Sequence, residues 1–169
     1  LSWVEQRTAL HIRADFTDSV STFIELDSIN DWGTDFRANY VTGLDGPGAG
    51  EIDLYQAYIE VRELGGLPLR LRLGRQELIL GNEWLVGNNS LFDPFSYLSF
   101  DGARLTYGAD KFSVDAFWMK LNENFASFGD GDAELYGLYG SYTGLEDFEL
   151  NLYWLLVRDG VDIEDVAGL

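Results

Sequence analysis

The sequence of 169 residues has no cysteine, a single histidine, and only 11 lysines and arginines against 29 aspartates and glutamates. Without cysteine there is no disulfide framework and no thiolate metal site. With His11 alone, a histidine-based triad or zinc centre lacks its usual partners. A net charge of −18 argues against nucleic acid and anionic membrane surfaces as partners. No window approaches the roughly 18 consecutive apolar residues of a transmembrane helix. That excludes helical membrane proteins and leaves barrels open, because their strands give a much weaker signal. Carboxylates are abundant, yet no pair is singled out by spacing, so neither an enzyme nor a cofactor is expected. The glycine-rich stretch from Gly43 to Gly50 lacks the Lys-Ser/Thr of a phosphate cradle. Asp130, Asp132 and Glu134 could hold Ca²⁺ at a loop, but without the spaced ligands of an EF-hand; a solvated loop is the default.

What is present is a two-residue rhythm that returns about eight times. In the first stretch Val4, Thr8, Leu10, Ile12, Ala14 and Phe16 share one parity, and Glu5, Arg7, His11, Arg13 and Asp15 the other. Successive side chains of a strand point to opposite faces, so this is a strand with one apolar and one charged face. A soluble sandwich turns its apolar face inward; a transmembrane barrel turns it toward lipid and keeps a wet, polar lumen. Strands are expected at about 3–16, 19–28, 51–62, 67–80, 98–108, 111–120, 133–142 and 147–158. Most are long enough to cross a bilayer at a tilt. Short connections alternate with long ones, as in barrels with tight periplasmic turns and longer extracellular loops. Aromatic residues on the apolar parity form two expected belts: Phe16, Tyr107, Phe112, Tyr142 and Phe148 beside the short turns, and Tyr55, Trp118, Tyr136 and Trp154 toward the long loops.

The charged parity places Arg7, Arg13, Arg62, Arg70, Arg72, Arg75 and Arg104 on the inner face, with the acids Glu5, Asp15, Glu25, Asp27, Glu60, Glu77 and Asp115 beside them. For Arg75 and Glu77 this requires a glycine bulge at Gly74, which would also turn Leu78 and Leu80 outward, and a similar slip near Asp101 and Gly102. Strand directions add one expectation. With the short turns periplasmic, the first strand descends and the last ascends, whereas complete barrels begin and end on the periplasmic side. Residues 1–169 are therefore expected to be one barrel segment, incomplete at both ends.

The run from Pro68 to Leu78, with Gly74-Arg-Gln-Glu-Leu78 its most specific part, resembles the alginate-export family of outer-membrane barrels. The Gly81–Gly87, Ser99–Tyr107, Phe112–Phe117 and Arg7–Asp15 stretches are similar to that family as well. The resemblance implies an antiparallel all-β transmembrane barrel of about eighteen strands in the bacterial outer membrane. It implies outer-membrane lipid and an anionic small solute or polysaccharide as partners, with the inward arginines as the conducting wall. Paired with the neighbouring acids, those arginines would instead stiffen the wall and leave little net field. Two other readings stay open: a structural or binding barrel with envelope protein partners and no transport, and a soluble eight-stranded ligand-binding barrel.

Overall fold

The computed structural model describes residues 3–35, 41, 42, 44, 50–88, 97–122 and 132–159. Eight strands form one sheet in chain order, each antiparallel to the next: β1 (Glu5–Asp15), β2 (Val20–Asp31), β3 (Asp53–Val61), β4 (Leu69–Gln76), β5 (Phe100–Gly108), β6 (Phe112–Asn122), β7 (Ala133–Leu145) and β8 (Phe148–Asp159). The helical content of the described residues is a single 3-10 turn at Leu64–Gly66. All eight expected strands are present, and the meander gathers the short connections at one end and the long ones at the other. Local chemistry sets the tight turns. Thr17 Oγ1 accepts hydrogen bonds from the amides of Ser19 (3.3 Å) and Val20 (3.0 Å), closing β1 onto β2. Asp147 takes the left-handed conformation (φ 62°) that Asp tolerates better than most residues, between β7 and β8.

The two faces are inverted relative to a soluble protein. Leu152 is 69 % exposed and Leu10 56 %, whereas Glu25 is 5 % and Asp115 5 % exposed. Ile12 and Trp118 are likewise exposed on the apolar face, so the soluble ligand-binding barrel, which would pack these residues inside, does not describe this sheet.

The register contains the strand tilt. One row of paired residues runs Ile12, Ile24, Ala57, Arg75, Asp101, Lys120, Glu134, Arg158 across the whole sheet. Ile12 lies four residues from Phe16 at the first short turn, while Arg158 lies ten residues from Phe148 at the last. A drift of six residues at about 3.3 Å each, over seven pairings of about 4.8 Å, is a tilt of roughly 30°. On β6 the apolar face runs from Phe112 to Lys120. These eight steps rise about 22 Å at that tilt, close to the ≈25 Å apolar band of outer-membrane barrels.

Three expectations are corrected. No residue is inserted at Gly74 or near Asp101: Tyr58, Gly74, Gly102 and Met119 stay in unbroken register. Arg75 therefore shares the face of Leu71 and Leu73, and Leu78 and Leu80 do not turn outward. Instead β4 ends at Gln76 and the chain folds back, burying Leu78 (0 % exposed) and Leu80 (2 %) against Phe117, Met119, Leu135 and Tyr139 on the inner face. A bridge between Leu80 and Val86 closes this inward loop. The apolar patch on β6 and β7 supplies the reason, since burying two leucines there stabilises more than exposing them on a strand. Tyr55 also leaves its expected belt. A register shift at Glu25/Leu26 puts Tyr55 and Gln56 together in buried positions, and the Tyr55 hydroxyl donates to Glu77.

Gly74 and Gly102 face each other across β4 and β5, and neither has room for a side chain. Gly74 has φ +122°, and a Cβ there would lie 2.3 Å from the Ala57 carbonyl oxygen; at Gly102 it would lie 2.1 Å from that of Trp118. Gly102→Val is expected to destabilise the sheet by at least about 2 kcal/mol, read as a lower urea midpoint for the vesicle-inserted protein. Gly108→Val, where a Cβ meets nothing within 4 Å, should leave the midpoint nearly unchanged.

Candidate functional site: the charged face

The charged face is organised around buried carboxylates. Arg7 Nε donates to Asp27 Oδ2 (2.8 Å) and its Nη2 to Glu25 Oε1 (3.3 Å), while the guanidinium lies 3.7 Å from the Tyr97 ring centre. Glu25 also meets His11 Nε2 at 3.1 Å and accepts from Gln56 Nε2 at 2.8 Å. Arg104 grips Asp115 through Nε (2.9 Å) and Nη2 (2.8 Å), with the Thr106 hydroxyl donating to the same carboxylate. Glu60 is shared: Arg62 Nε donates to one oxygen (2.8 Å) and Arg72 Nη2 to the other (2.8 Å). The register brings Glu60, Arg72 and Arg104 onto one row, so these residues meet across three strands.

Toward the short turns, Arg13, Arg62, Arg70 and Arg72 surround a cavity of about 370 Å³ with Phe23 and Tyr58 in its wall. Arg13 is bonded to Asp15 (3.0 Å), and the Arg72 guanidinium lies 4.1 Å from the Tyr58 ring centre. Arg70 is exposed and makes no ion pair among the described residues. A second cavity of about 340 Å³, toward the long connections, is lined by Asp27, Glu51, Asp53, Tyr55, Arg75 and Tyr97. Of the expected inner acids, Glu5 is exposed opposite Asp31, and Glu77 accepts from Tyr55 and from Asn88 Nδ2 (2.7 Å).

Arg75 is the arginine that the structure moves away from the others. Its Nε and Nη2 donate to Asp101 at 3.0 and 2.8 Å on the apolar face, and its Nη1 to the Leu54 carbonyl at 3.2 Å. The pair opens a ladder of alternating sign that the sequence pattern does not display: Arg75, Asp101, Lys120, Glu134, Arg158 on five adjacent strands. Lys120 Nζ lies 3.9 Å from Glu134 and 2.7 Å from Asp132, and Arg158 lies 3.7 Å from Glu134. The signal existed only as isolated phase defects at the upper ends of strands, where polar residues end the apolar face. Asp132 and Glu134 are thus drawn to cations on the outer face, and Asp130 lies outside the described residues. No cluster of three metal-ligating side chains occurs among the described residues.

Among the described residues, the arrangement offers a polar wall carrying charges of both signs on one face and an apolar band on the other. No curated protein and no solved structure matches the chain. The family model described as Alginate export matches residues 1–164. With its exposed apolar band, its buried charges and a match over nearly its whole length, the chain belongs to the alginate export family, a transport family of outer-membrane β-barrels.

Proposed function

We propose that the charged face lines the lumen of an outer-membrane export channel, and that solutes bearing carboxylates cross it along the arginines at the short-turn end. We further propose that the eight strands are one segment of a larger barrel. Supporting this, among the described residues β1 and β8 each pair on one side only, and unpaired backbone groups have no partner inside a bilayer.

The observation that carries the lumen reading is Arg70. Arg7, Arg62, Arg72 and Arg104 are held by buried acids and serve the wall. Arg70 keeps its charge available, beside a cavity whose four arginines outnumber the acids Asp15 and Glu60. Such a surplus raises the local concentration of anions while binding each one weakly, which conduction requires. The aromatic walls Phe23 and Tyr58 suit the apolar faces of sugar rings. This favours an anionic polysaccharide over a small inorganic ion.

The test is reversal potential in planar bilayers containing the complete protein. A unit charge about 7 Å from the ion path is worth roughly 0.6 kcal/mol before screening, so Arg70→Gln should lower the anion-to-cation permeability ratio about twofold. The double variant Arg104→Gln with Asp115→Asn should change it less, because that ion pair is neutral as a unit and its removal leaves the net charge of the wall unchanged. A barrel that inserts and conducts nothing would instead support the wall-only reading, which the extensive ion pairing favours.

A further inference from the structure

The inward loop presents an aromatic side chain instead of burying it. Leu78 and Leu80 seat the segment on β6 and β7, yet Trp84 beyond them is 65 % exposed. Its ring lies 5.9 Å from that of Tyr153, at 71°, and Tyr153 is itself half-exposed on the inner face of β8. The loop is built to hold this pair still. Gly81, Asn82 and Glu83 are all left-handed (φ 63°, 53° and 70°). Residues other than glycine adopt that conformation at a cost, and such positions cluster where ligands are held. The indole rests against the Gly81 backbone, where a Cβ would come within 2.3 Å of Nε1. The same glycine backbone is hydrogen-bonded to the Tyr139 hydroxyl. Asn151, next to Tyr153 on the same face, has a buried amide oxygen with no hydrogen-bond partner among the described residues. Buried polar atoms are rarely left so, and one side-chain rotation would offer this one to a hydroxyl in the pore.

Arg70, Thr106, Asp115, Tyr139 and Tyr153 lie on one row of the inner face. Four pairings of about 4.8 Å, inclined by the roughly 30° tilt, place Tyr153 ~10 Å farther from the short turns than Arg70. A chain entering at the short turns meets the cation first and the aromatic pair next. The charges beside the pair are acidic or already matched. Glu83 precedes Trp84, Glu149 is four residues from Tyr153 on the same face, and Arg104 holds Asp115. Attraction for a carboxylate therefore does not hold a ligand here; ring contact does.

We infer that Trp84 and Tyr153 form a second subsite of the channel, which stacks the apolar C–H face of a pyranose ring whether or not the sugar is charged. The inference rests on the charged face being the lumen of a polysaccharide channel. An exposed aromatic pair rimmed by polar groups fits a ring with an apolar face and a hydroxylated edge. One stacked ring is held briefly and released, so the subsite aligns a passing chain without arresting it.

The experiment is single-channel recording of the complete protein with cellohexaose, a neutral chain whose rings present C–H faces. The wild type should show blocking events, and Trp84→Ala should shorten their mean duration about three- to tenfold, the scale of one lost aromatic contact. Trp84→Phe, which keeps a ring, should stay within about twofold of the wild type. Tyr153→Ala should also shorten the events; Tyr153 stands on a strand, so this variant reports on stacking even where Trp84→Ala shifts the loop. Arg70→Gln should leave cellohexaose events unchanged and shorten those of an oligouronate of equal length. An open wild-type pore that cellohexaose does not block, or events that neither alanine variant shortens, would overturn the stacking subsite and leave the channel at Arg70 standing. An inserted barrel with no current would overturn the channel reading itself.

Discussion

Replacing Leu138 by arginine is expected to destabilise the membrane-inserted protein by about 2–4 kcal/mol, the cost of an arginine facing lipid near the bilayer midplane. Leu138 lies on β7, paired on both sides, with half its surface exposed on the apolar face and Ala116 and Trp154 as its direct neighbours. It is four residues from Tyr142 in the lower belt and four from Glu134 in the charged ladder, which places it midway up the band. Ile12→Arg, at a similar height on β1, should cost a comparable amount. His11→Arg should cost little, since His11 is exposed on the charged face and Glu25 is 3.1 Å away to receive the new cation. Urea titration of the vesicle-inserted protein measures all three variants. A penalty that did not depend on which of the adjacent residues 11 and 12 was changed would contradict lipid contact for the apolar face. Ranking Leu138→Arg against Glu134→Leu adds a check on the ladder: removing a charge at the upper margin should cost far less than adding one at mid-height.

The second large effect is expected inside. Leu78 and Leu80 are the anchors of the 77–88 segment, and each is almost fully enclosed by Phe117, Met119, Leu135 and Tyr139. Truncating a leucine in such a setting typically costs 2–5 kcal/mol, from lost transfer free energy and from the cavity left behind. Leu78→Ala with Leu80→Ala should therefore exceed the cost of holding this loop down, and the loop should leave the face. Because the eight strand ladders do not depend on the loop, the barrel is expected to remain inserted while its conductance rises, on the order of twofold, as the obstruction moves. The bond from Asn88 to Glu77 and the bridge between Leu80 and Val86 would be lost with it. Limited proteolysis between residues 81 and 87 gives a readout independent of conductance, with faster cleavage expected in the double variant. A variant that stays resistant and conducts as before would show that the leucines do not hold the segment.

Much of this architecture was legible because the signals are local. Alternation in β1, β6 and β8 reports which side chains share a face, since the pleat has a period of two residues. The failures are equally instructive. At Arg75 the apolar face simply ends, and a charge at that margin looks, in sequence, the same as a phase change at the neighbouring glycine. Tyr55 sits at a bulge whose cause is a mismatch between β2 and β3, invisible in either strand alone. Leu78 and Leu80 continue the alternation of β4 by coincidence; their destination is an apolar patch on strands some forty to sixty residues later in the chain.

By itself the sequence determined the strand number, the sorting of short and long connections, and the existence of one apolar and one charged face. Each of these follows from side-chain period and turn chemistry within a few residues. Which charges meet was decided only by the tertiary structure, because cross-strand register joins residues far apart in the chain. Register placed Glu60 between Arg62 and Arg72, gave Arg104 to Asp115, and left Arg70 without an ion pair among the described residues. An arginine held by a buried carboxylate and an arginine open to solvent are the same letter in a strand; they differ in what stands across from them.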